Sequence, residues 1–289
     1  MSLVAVIVRK IRRYGFGPVL VLGFALYCGE TVIIQAQDSN GNQPTLVFEG
    51  NKAVSQEDLL QVANKCLEGP RSRNKFESNI EYCLSRVKFF LYSKGYLQAV
   101  VGSPHWDTTV MPSRVIVPIE EGVLYRLGEI KIRGSHIVSP EHILGMFNLK
   151  IGDIADADAI AVWLYERVKK FYANLGYIQY TAEPVPEFHS IPGSSEGIVF
   201  LLVTVEEGKL FTIRSISFEG NGNIPLGVLR SELLVRDGDI FNQELLEESI
   251  MRLNRLELFE RIDADRDVHY ASNNKTPKFD LTIKLKKRP

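Results

Sequence analysis

Cysteine and an excess of charge of one sign are what this sequence has least of. Its 289 residues include three cysteines, too few for a disulfide-dense scaffold or a four-thiolate zinc site. Lysine and arginine number 34 against 35 aspartates and glutamates, so bulk charge points neither to nucleic acid nor to a membrane surface. Hydrophobic residues make up 45% of the chain, which is enough to bury real cores and excludes a disordered tail.

The first stretch of the chain has the layout of a secretory signal. A basic cluster at 9–13 is followed by an apolar run at 16–28, and the small residue Ala36 precedes a polar stretch. We expect cleavage between Ala36 and Gln37, so that the mature protein is exported. The alternative is an uncleaved membrane anchor, in which Glu30 would interrupt the apolar span.

The rest of the chain is an internal repeat. A short phrase that ends in glycine and then asparagine or serine recurs roughly 85 residues apart, at 48–51, 132–135 and 218–221. A pair of glutamates before a glycine recurs at Glu120-Glu121 and Glu206-Glu207. A period this regular indicates duplicated domains. The predicted divisions are a signal peptide at 1–36, a linker at 37–43, and domains at 44–122, 123–208 and 209–289.

Hydrophobic periodicity predicts the same element order in each repeat: strand, helix, helix, strand, strand. In the second repeat a short helix begins at Ser139-Pro140, and a longer one ends at Gly176. Its predicted strands are 127–132, 177–188 and 198–205, with a loop at 189–197. In the third repeat Leu246, Ile250, Leu253 and Leu256 form the stripe of the long helix, and the hairpin turns at 272–275. Two helices cover one face of a small sheet, which leaves a strand edge open.

These features together resemble the polypeptide-transport-associated, or POTRA, domain family. The resemblance is carried by the Gly-Asn or Gly-Ser turn, the Gly-Asp before the long helix at Gly152-Asp153 and Gly238-Asp239, the Gly-Tyr at that helix's end, and the Glu-Glu-Gly between repeats. Such arrays are similar to the periplasmic arm of BamA-type outer-membrane β-barrel assembly proteins and their two-partner-secretion relatives. The resemblance implies an α+β fold of three tandem βααββ domains, each a three-stranded mixed sheet covered by two helices.

The resemblance also implies a function, which is binding without catalysis. The expected partners are unfolded outer-membrane clients or assembly-complex proteins, in the periplasm and in peripheral contact with the outer membrane. Family members continue into a transmembrane barrel, whereas this sequence stops at Pro289. The sequence leaves open whether the chain is complete or a truncated relative whose barrel is lost or separately encoded, and a separately encoded barrel would be a further partner. Glu257-Leu258 also departs from the Gly-Tyr pattern. The alternative function is an inner-membrane-anchored structural or interaction module of the cell envelope.

Strand addition at a free sheet edge is the mode of binding that the resemblance implies. In that family the fourth element of each domain is the free edge, which here places the edges at 97–101, 178–183 and 261–268. The first residues of the long helices would line the adjoining groove. The candidate edge residues are Leu97, Ala99, Val101, Ile178, Tyr180, Ala182, Ile262, Ala264 and Val268.

No residue pattern in the sequence predicts catalysis, a metal or a cofactor. The paired glutamates would point to opposite faces of a strand, which favours a structural role over acid and base catalysis. The five histidines are scattered, with no pair at the spacing of a helical metal site. The turn at 220–225 lacks the third glycine of a phosphate-binding loop. We therefore expect no catalytic residue, no metal, no cofactor and no nucleic-acid partner.

Cys66 and Cys83 fall at apolar positions of the two helices of the first repeat. In an exported protein such a pair favours a disulfide that pins one helix to the other. The alternative is two buried thiols that act as small apolar residues.

A basic cluster marks the end of the sequence. Its members are Lys284, Lys286, Lys287 and Arg288. Alternation in the last strand places the cluster outward, where it either forms a solvated edge that discourages aggregation or contacts anionic lipid headgroups. The sequence leaves both alternatives open.

Overall fold

The computed structural model describes residues 44–67, 73–110, 112–272 and 276–288. The predicted signal peptide, its cleavage site at Ala36 and Gln37, the linker and most of the predicted turn at 272–275 lie outside these ranges. The described chain divides into two compact units. One holds 44–125 and 154–157, and the other holds 126–153 and 158–288.

The first domain is a small sheet with two helices. Its elements are β1 (Thr45–Glu49), α1 (Gln56–Leu67), α2 (Arg73–Ser93), β2 (Val100–Val101), β3 (His105–Asp107) and β4 (Arg114–Glu120). The last strand, β4, is central: it pairs in parallel with β1 and antiparallel with both β2 and β3. The first strand of the predicted closing hairpin is therefore divided into two short strands, β2 and β3.

The second domain repeats this order. Its elements are β5 (Leu124–Arg133), α3 (Pro140–Gly145), α4 (Ala157–Val162), a π-helical segment (Trp163–Val168), α5 (Lys169–Asn174), β6 (Thr181–Ser190) and β7 (Glu196–Glu206). The strand order is β5-β7-β6, so the last strand is again central. The predicted loop at 189–197 is shorter than expected because β6 extends through Ser190 and β7 begins at Glu196.

The third domain has the same plan with one addition. Its elements are β8 (Thr212–Glu219), α6 (Leu226–Ser231), α7 (Gln243–Arg255), α8 (Ala264–Asp267), β9 (Val268–Ser272) and β10 (Lys278–Lys284). The central β10 is parallel to β8 and antiparallel to β9. The short helix α8 is the added element.

The cores are built from alternate residues of the central strands and one stripe of each long helix. In β4, Val115, Val117 and Ile119 are buried, and the residues between them are more accessible. In α7, Leu246, Ile250 and Leu253 are buried, and Leu256 packs against the same cluster. The predicted helix stripe is therefore confirmed. These helices shield one face of each sheet from water, which supplies most of the driving force for folding.

Polar caps fix where several helices begin. The Ser139 hydroxyl accepts a hydrogen bond from the His142 N–H, and Pro140 occupies the first turn of α3. The Asn242 side chain accepts from the Leu245 N–H at the start of α7. Short caps of this kind let helices of six to thirteen residues start at defined positions.

The fold class is as predicted, but the hairpin strands begin later than the sequence suggested. After the second long helix the chain makes a turn in which the Tyr180 N–H donates to the Tyr177 carbonyl at 3.3 Å, so β6 begins at Thr181. In the third domain Asp263 caps α8, and β9 begins only at Val268. Periodicity missed the first because Ile178 and Tyr180 alternate with polar residues as a strand would, and it missed the second because Asp263 starts a short helix inside the expected strand.

Candidate functional site

Six of the predicted edge residues lie before the edge strands instead of in them. Val101, Ala182 and Val268 lie in β2, β6 and β9. The other six lie in turns, loops or α8: Leu97, Ala99, Ile178, Tyr180, Ile262 and Ala264. Leu97, Ala99, Tyr180 and Ile262 are almost fully buried. A side chain in that position packs in the core and is not available to a partner strand.

The edge of the first domain is short and interrupted. β2 covers two residues and β3 covers three, and 102–104 separates them. The Gly102 N–H donates to the Pro118 carbonyl at 2.8 Å, which keeps the interruption against β4. A partner strand would find few consecutive backbone groups on this edge.

The edge of the second domain is long but contains two prolines. β6 pairs with β7 in an unbroken register over ten residues, and Pro184 and Pro186 lie within it. Proline fits an unbroken ladder only where its nitrogen points away from the neighbouring strand. Both ring nitrogens therefore face the free side, where they remove two N–H donors. Prolines at a sheet edge are a known protection against strand addition.

The edge of the third domain has neither defect. β9 is five residues long, contains no proline, and pairs with β10 in one continuous register. Among the strands that the structure describes, it has no second neighbour. His269 and Ala271 expose their side chains, whereas Val268 is buried.

An aromatic cluster holds β9 in place. The Tyr270 ring makes edge-to-face contacts with Phe241 and Phe279, at centroid distances of 6.0 and 5.3 Å. Burial, reinforced by the nearby charges of Asp265 and Glu247, raises the pKa of Tyr270 to about 12. The strand is therefore fixed to a rigid core, with Glu247 of α7 close to its inner side.

The Gly-Asn and Gly-Ser turns are explained by a close approach of two backbone segments. Gly50, Gly134 and Gly220 all have φ between 83° and 94°. A Cβ atom on Gly134 would lie 2.3 Å from the Val205 carbonyl oxygen, and one on Gly220 would lie 2.2 Å from that of Leu285. No other residue fits there. The repeated glycine thus lets the turn after the first strand rest on the end of the last strand.

The second glutamate of the first Glu-Glu pair holds the same turn from the side. Glu121 is buried, and its carboxylate accepts hydrogen bonds from the N–H groups of Ala53 and Val54, each at 2.8 Å. Its neighbour Glu120 is exposed at the end of β4. One carboxylate is therefore exposed and the other buried, as alternation suggests, and the buried Glu121 has a structural role.

Glu207 repeats this arrangement in the second domain. It accepts from the N–H groups of His136 and Ile137, both at 2.9 Å, and from the Tyr172 hydroxyl at 2.7 Å. Partial burial would raise the pKa of Glu207, but these hydrogen bonds outweigh it and hold the pKa below its ordinary value. In the third domain Lys287 stands at the corresponding position, two residues after Leu285.

Gly176, which follows the long helix of the second domain, lies at the junction between the second and third domains. The Phe211 N–H donates to the Gly176 carbonyl at 2.9 Å, and a Cβ atom on Gly176 would lie 2.7 Å from Cγ2 of Ile240. Ala173 and Ile178 pack into the core of the third domain. Apolar packing through this glycine therefore joins the two domains.

Two polar contacts flank the same junction. The Lys170 ammonium pairs with Glu247 at 2.7 Å, and Asn174 exchanges hydrogen bonds with Glu244 at 3.0 and 3.2 Å. Exposed ion pairs contribute little energy, so their main effect is to fix orientation.

Glu257 keeps the left-handed backbone of the glycines that it replaces. Its φ is 56°, and it is the one non-glycine residue with positive φ in the described chain. We expect Glu257→Gly to stabilise the third domain by about 1 kcal/mol, because the left-handed conformation strains any residue with a Cβ atom. The side chain is 75% exposed, so little packing is lost.

Urea unfolding of Glu257→Gly and Glu257→Ala measures this strain. Alanine removes the same carboxylate but keeps the Cβ atom, so its stability should stay near that of the parent. Equal stability of the two variants would show that Glu257 is not strained.

The two cysteines are free thiols in this structure. Cys66 on α1 is half-buried and Cys83 on α2 is buried. Burial, together with the hydrogen bond that the Cys83 thiol donates to Cys66, raises the pKa of Cys83 to about 12. The two thiols interact, but no disulfide joins them here. The bond stays a prediction for the exported protein.

In the part of the chain that the structure describes, no group of three or more histidine, cysteine, aspartate or glutamate side chains is arranged to hold a metal ion. None of the helices in the described ranges is both long and apolar enough to cross a membrane.

The fold and its recurring turns define a class of protein, a tandem array of small α+β domains. The family model described as "POTRA: Surface antigen variable number repeat" matches residues 125–208 and 211–288. The chain belongs to the POTRA family, which confirms the resemblance seen in the sequence.

Two curated relatives carry the name of an assembly factor. The outer membrane protein assembly factor BamA of Nitratidesulfovibrio vulgaris is 26% identical over 212 residues, covering 72% of this chain and 24% of that protein. A putative outer membrane protein assembly factor of Treponema pallidum is 25% identical over 244 residues, covering 81% of this chain and 29% of that protein. The chain thus spans less than a third of the length of these relatives.

A solved structure of three consecutive domains is similar to the whole array. The crystal structure of Haemophilus influenzae BamA POTRA3-5 matches with a TM-score of 0.65 and 24% identity, covering 84% of this chain and 95% of that one. This likeness confirms the predicted fold class.

Proposed function

We propose that this chain is a periplasmic scaffold of outer-membrane protein assembly or secretion that binds extended polypeptides by strand addition at β9. Its partners are unfolded outer-membrane clients or proteins of an assembly complex, and it performs no catalysis. The similarity to two outer-membrane protein assembly factors supports the pathway. The observation that carries the binding mode is the edge of β9, which is continuous and free of proline.

Strand addition suits clients of varied sequence. A partner strand forms hydrogen bonds with the backbone of the edge, so affinity does not depend on particular side chains. Each such bond contributes about 1 kcal/mol net, so five residues of β9 support a modest and reversible affinity. Because Tyr270 anchors β9 to the aromatic cluster, the edge is ordered before the client arrives, which lowers the entropy lost on binding.

A photo-crosslinking side chain at Ala271 of β9 should capture an extended client peptide at least about fivefold more efficiently than one at Val185 of β6. Both positions are exposed, so access alone does not separate them. The expected difference arises because Pro184 and Pro186 remove N–H donors from β6. Crosslink yield with a labelled peptide from an outer-membrane barrel strand measures it.

The double variant Pro184→Val with Pro186→Val is the matched test, because it should gain peptide capture at β6. Restoring both donors should raise capture at position 185 toward the yield at 271, with no change at β9. If capture at 185 equals or exceeds capture at 271 in the parent chain, β9 is not the preferred edge.

A further inference from the structure

A surface pocket in the third domain brings together three arginines from the end of a helix, the loop after it and the final segment of the chain. Its volume is about 420 Å³, and Arg255, Arg261 and Arg288 line it. Arg255 ends α7, Arg261 lies in the loop that follows, and Arg288 lies beyond β10. Arg255 and Arg261 are close in the sequence, but their convergence with Arg288 is not visible there.

The walls of the pocket are held by hydrogen bonds. The Asn254 side chain both donates to the Ile262 carbonyl and accepts from its N–H, at 2.9 and 2.8 Å. The Glu260 N–H donates to the Lys286 carbonyl at 2.8 Å, and the Arg288 Nε donates to the Phe259 carbonyl at 2.9 Å. The loop and the final segment are thus fixed against each other, which fixes the backbone that carries the arginines and the side chain of Arg288.

The pocket has an excess of positive charge. Within the described chain, the guanidinium groups of Arg255 and Arg261 form no ion pair or hydrogen bond. Glu257 is the carboxylate among the lining residues, and it lies 4.0 Å from Arg288. Three cations therefore face one anion. A planar guanidinium matches the oxygens of a phosphate group well.

We propose that this pocket binds the phosphate of an anionic lipid headgroup and so places the third domain at a membrane surface. Arg288 continues the exposed basic cluster of Lys284, Lys286 and Lys287, which lies on the same final segment. Met251 lines the pocket and Leu258 lies beside it, with 51% and 40% of their surfaces exposed. Clustered cations next to exposed apolar side chains fit a lipid interface better than a soluble anion.

Vesicle sedimentation tests this proposal with the whole chain. Vesicles of phosphatidylcholine are compared with vesicles of phosphatidylcholine and phosphatidylglycerol in equal parts. Arg255→Ser with Arg261→Ser should weaken binding to the anionic vesicles by roughly 30-fold, since each cation contributes about 1 kcal/mol at such a surface. Both side chains are exposed, so the variant should unfold in urea like the parent.

Arg236→Ser with Arg252→Ser is the matched control, because it removes equal charge from residues of the same domain that do not line the pocket. It should retain binding within about threefold. Glu257→Gln should act in the opposite direction and strengthen binding. Equal losses of binding in the two double variants would show that the vesicles are held by general electrostatic attraction to the domain and not by the pocket. The lipid assignment would be overturned if the parent chain bound neutral and anionic vesicles equally. It would also be overturned if Arg255→Ser with Arg261→Ser lost binding to an acidic peptide but kept binding to anionic vesicles.

Discussion

Gly134→Ala should destabilise the second domain by about 4 kcal/mol. The residue has a φ of 83°, and the new Cβ atom would lie 2.3 Å from the Val205 carbonyl oxygen. That oxygen belongs to the central strand, so it cannot move without displacing the sheet. The substitution should therefore separate the turn from the end of β7.

Gly152→Ala separates backbone strain from the clash. Gly152 has a φ of 93°, but a Cβ atom there would meet nothing within 4 Å, so its loss should be about 1 kcal/mol. Urea unfolding followed by the fluorescence of Trp163, which is fully buried in the second domain, measures both. Both variants are made in a background that lacks Trp106, because the fluorescence of this second tryptophan would otherwise overlap with that of Trp163. Similar losses in the two variants would contradict the close approach.

Glu207→Ala should destabilise the same domain by about 3 kcal/mol at neutral pH. The substitution leaves two turn N–H groups and the hydroxyl of Tyr172 without their acceptor. Tyr172 is fully buried, so its hydroxyl cannot turn to water instead. Glu206→Ala is the control, because that neighbour is exposed, and its effect should be near zero.

The contribution of Glu207 should also depend on pH. Its pKa is lower in the folded protein than its ordinary value of 4.5, so the carboxylate stabilises the fold fully above that pH. As the pH falls through the folded pKa, the stabilisation is lost. The stability difference between the parent and Glu207→Gln should therefore be constant from neutral pH down to 4.5 and shrink below it. A constant difference in stronger acid would contradict the linkage.

Much of the fold was predictable because each sequence signal occurs in more than one repeat. The glycine turns and the long helix stripe of Leu246 and Leu253 follow from spacing and alternation. The late start of β6 was not predictable, because the turn residues Ile178 and Tyr180 alternate like a strand. The helix α8 was missed because Asp263 caps it inside an expected strand.

The candidate surfaces were predictable to different extents. The two prolines of β6 stand in the sequence and could have demoted that edge, since proline at an edge has a fixed physical meaning. The pocket of Arg255, Arg261 and Arg288 could not have been found in this way. The end of α7 and the final segment come together only in the folded domain. In the sequence, Arg288 is only one member of a terminal basic cluster.

Hydrogen exchange of the whole chain, with and without a saturating client peptide, tests strand addition most directly. A bound strand forms hydrogen bonds with the edge, so the backbone amides of β9 at 268–272 should exchange more slowly in the complex, while those of β6 at 181–190 keep their rates. Binding that leaves the exchange of β9 unchanged, or that protects β6 instead, would contradict the account.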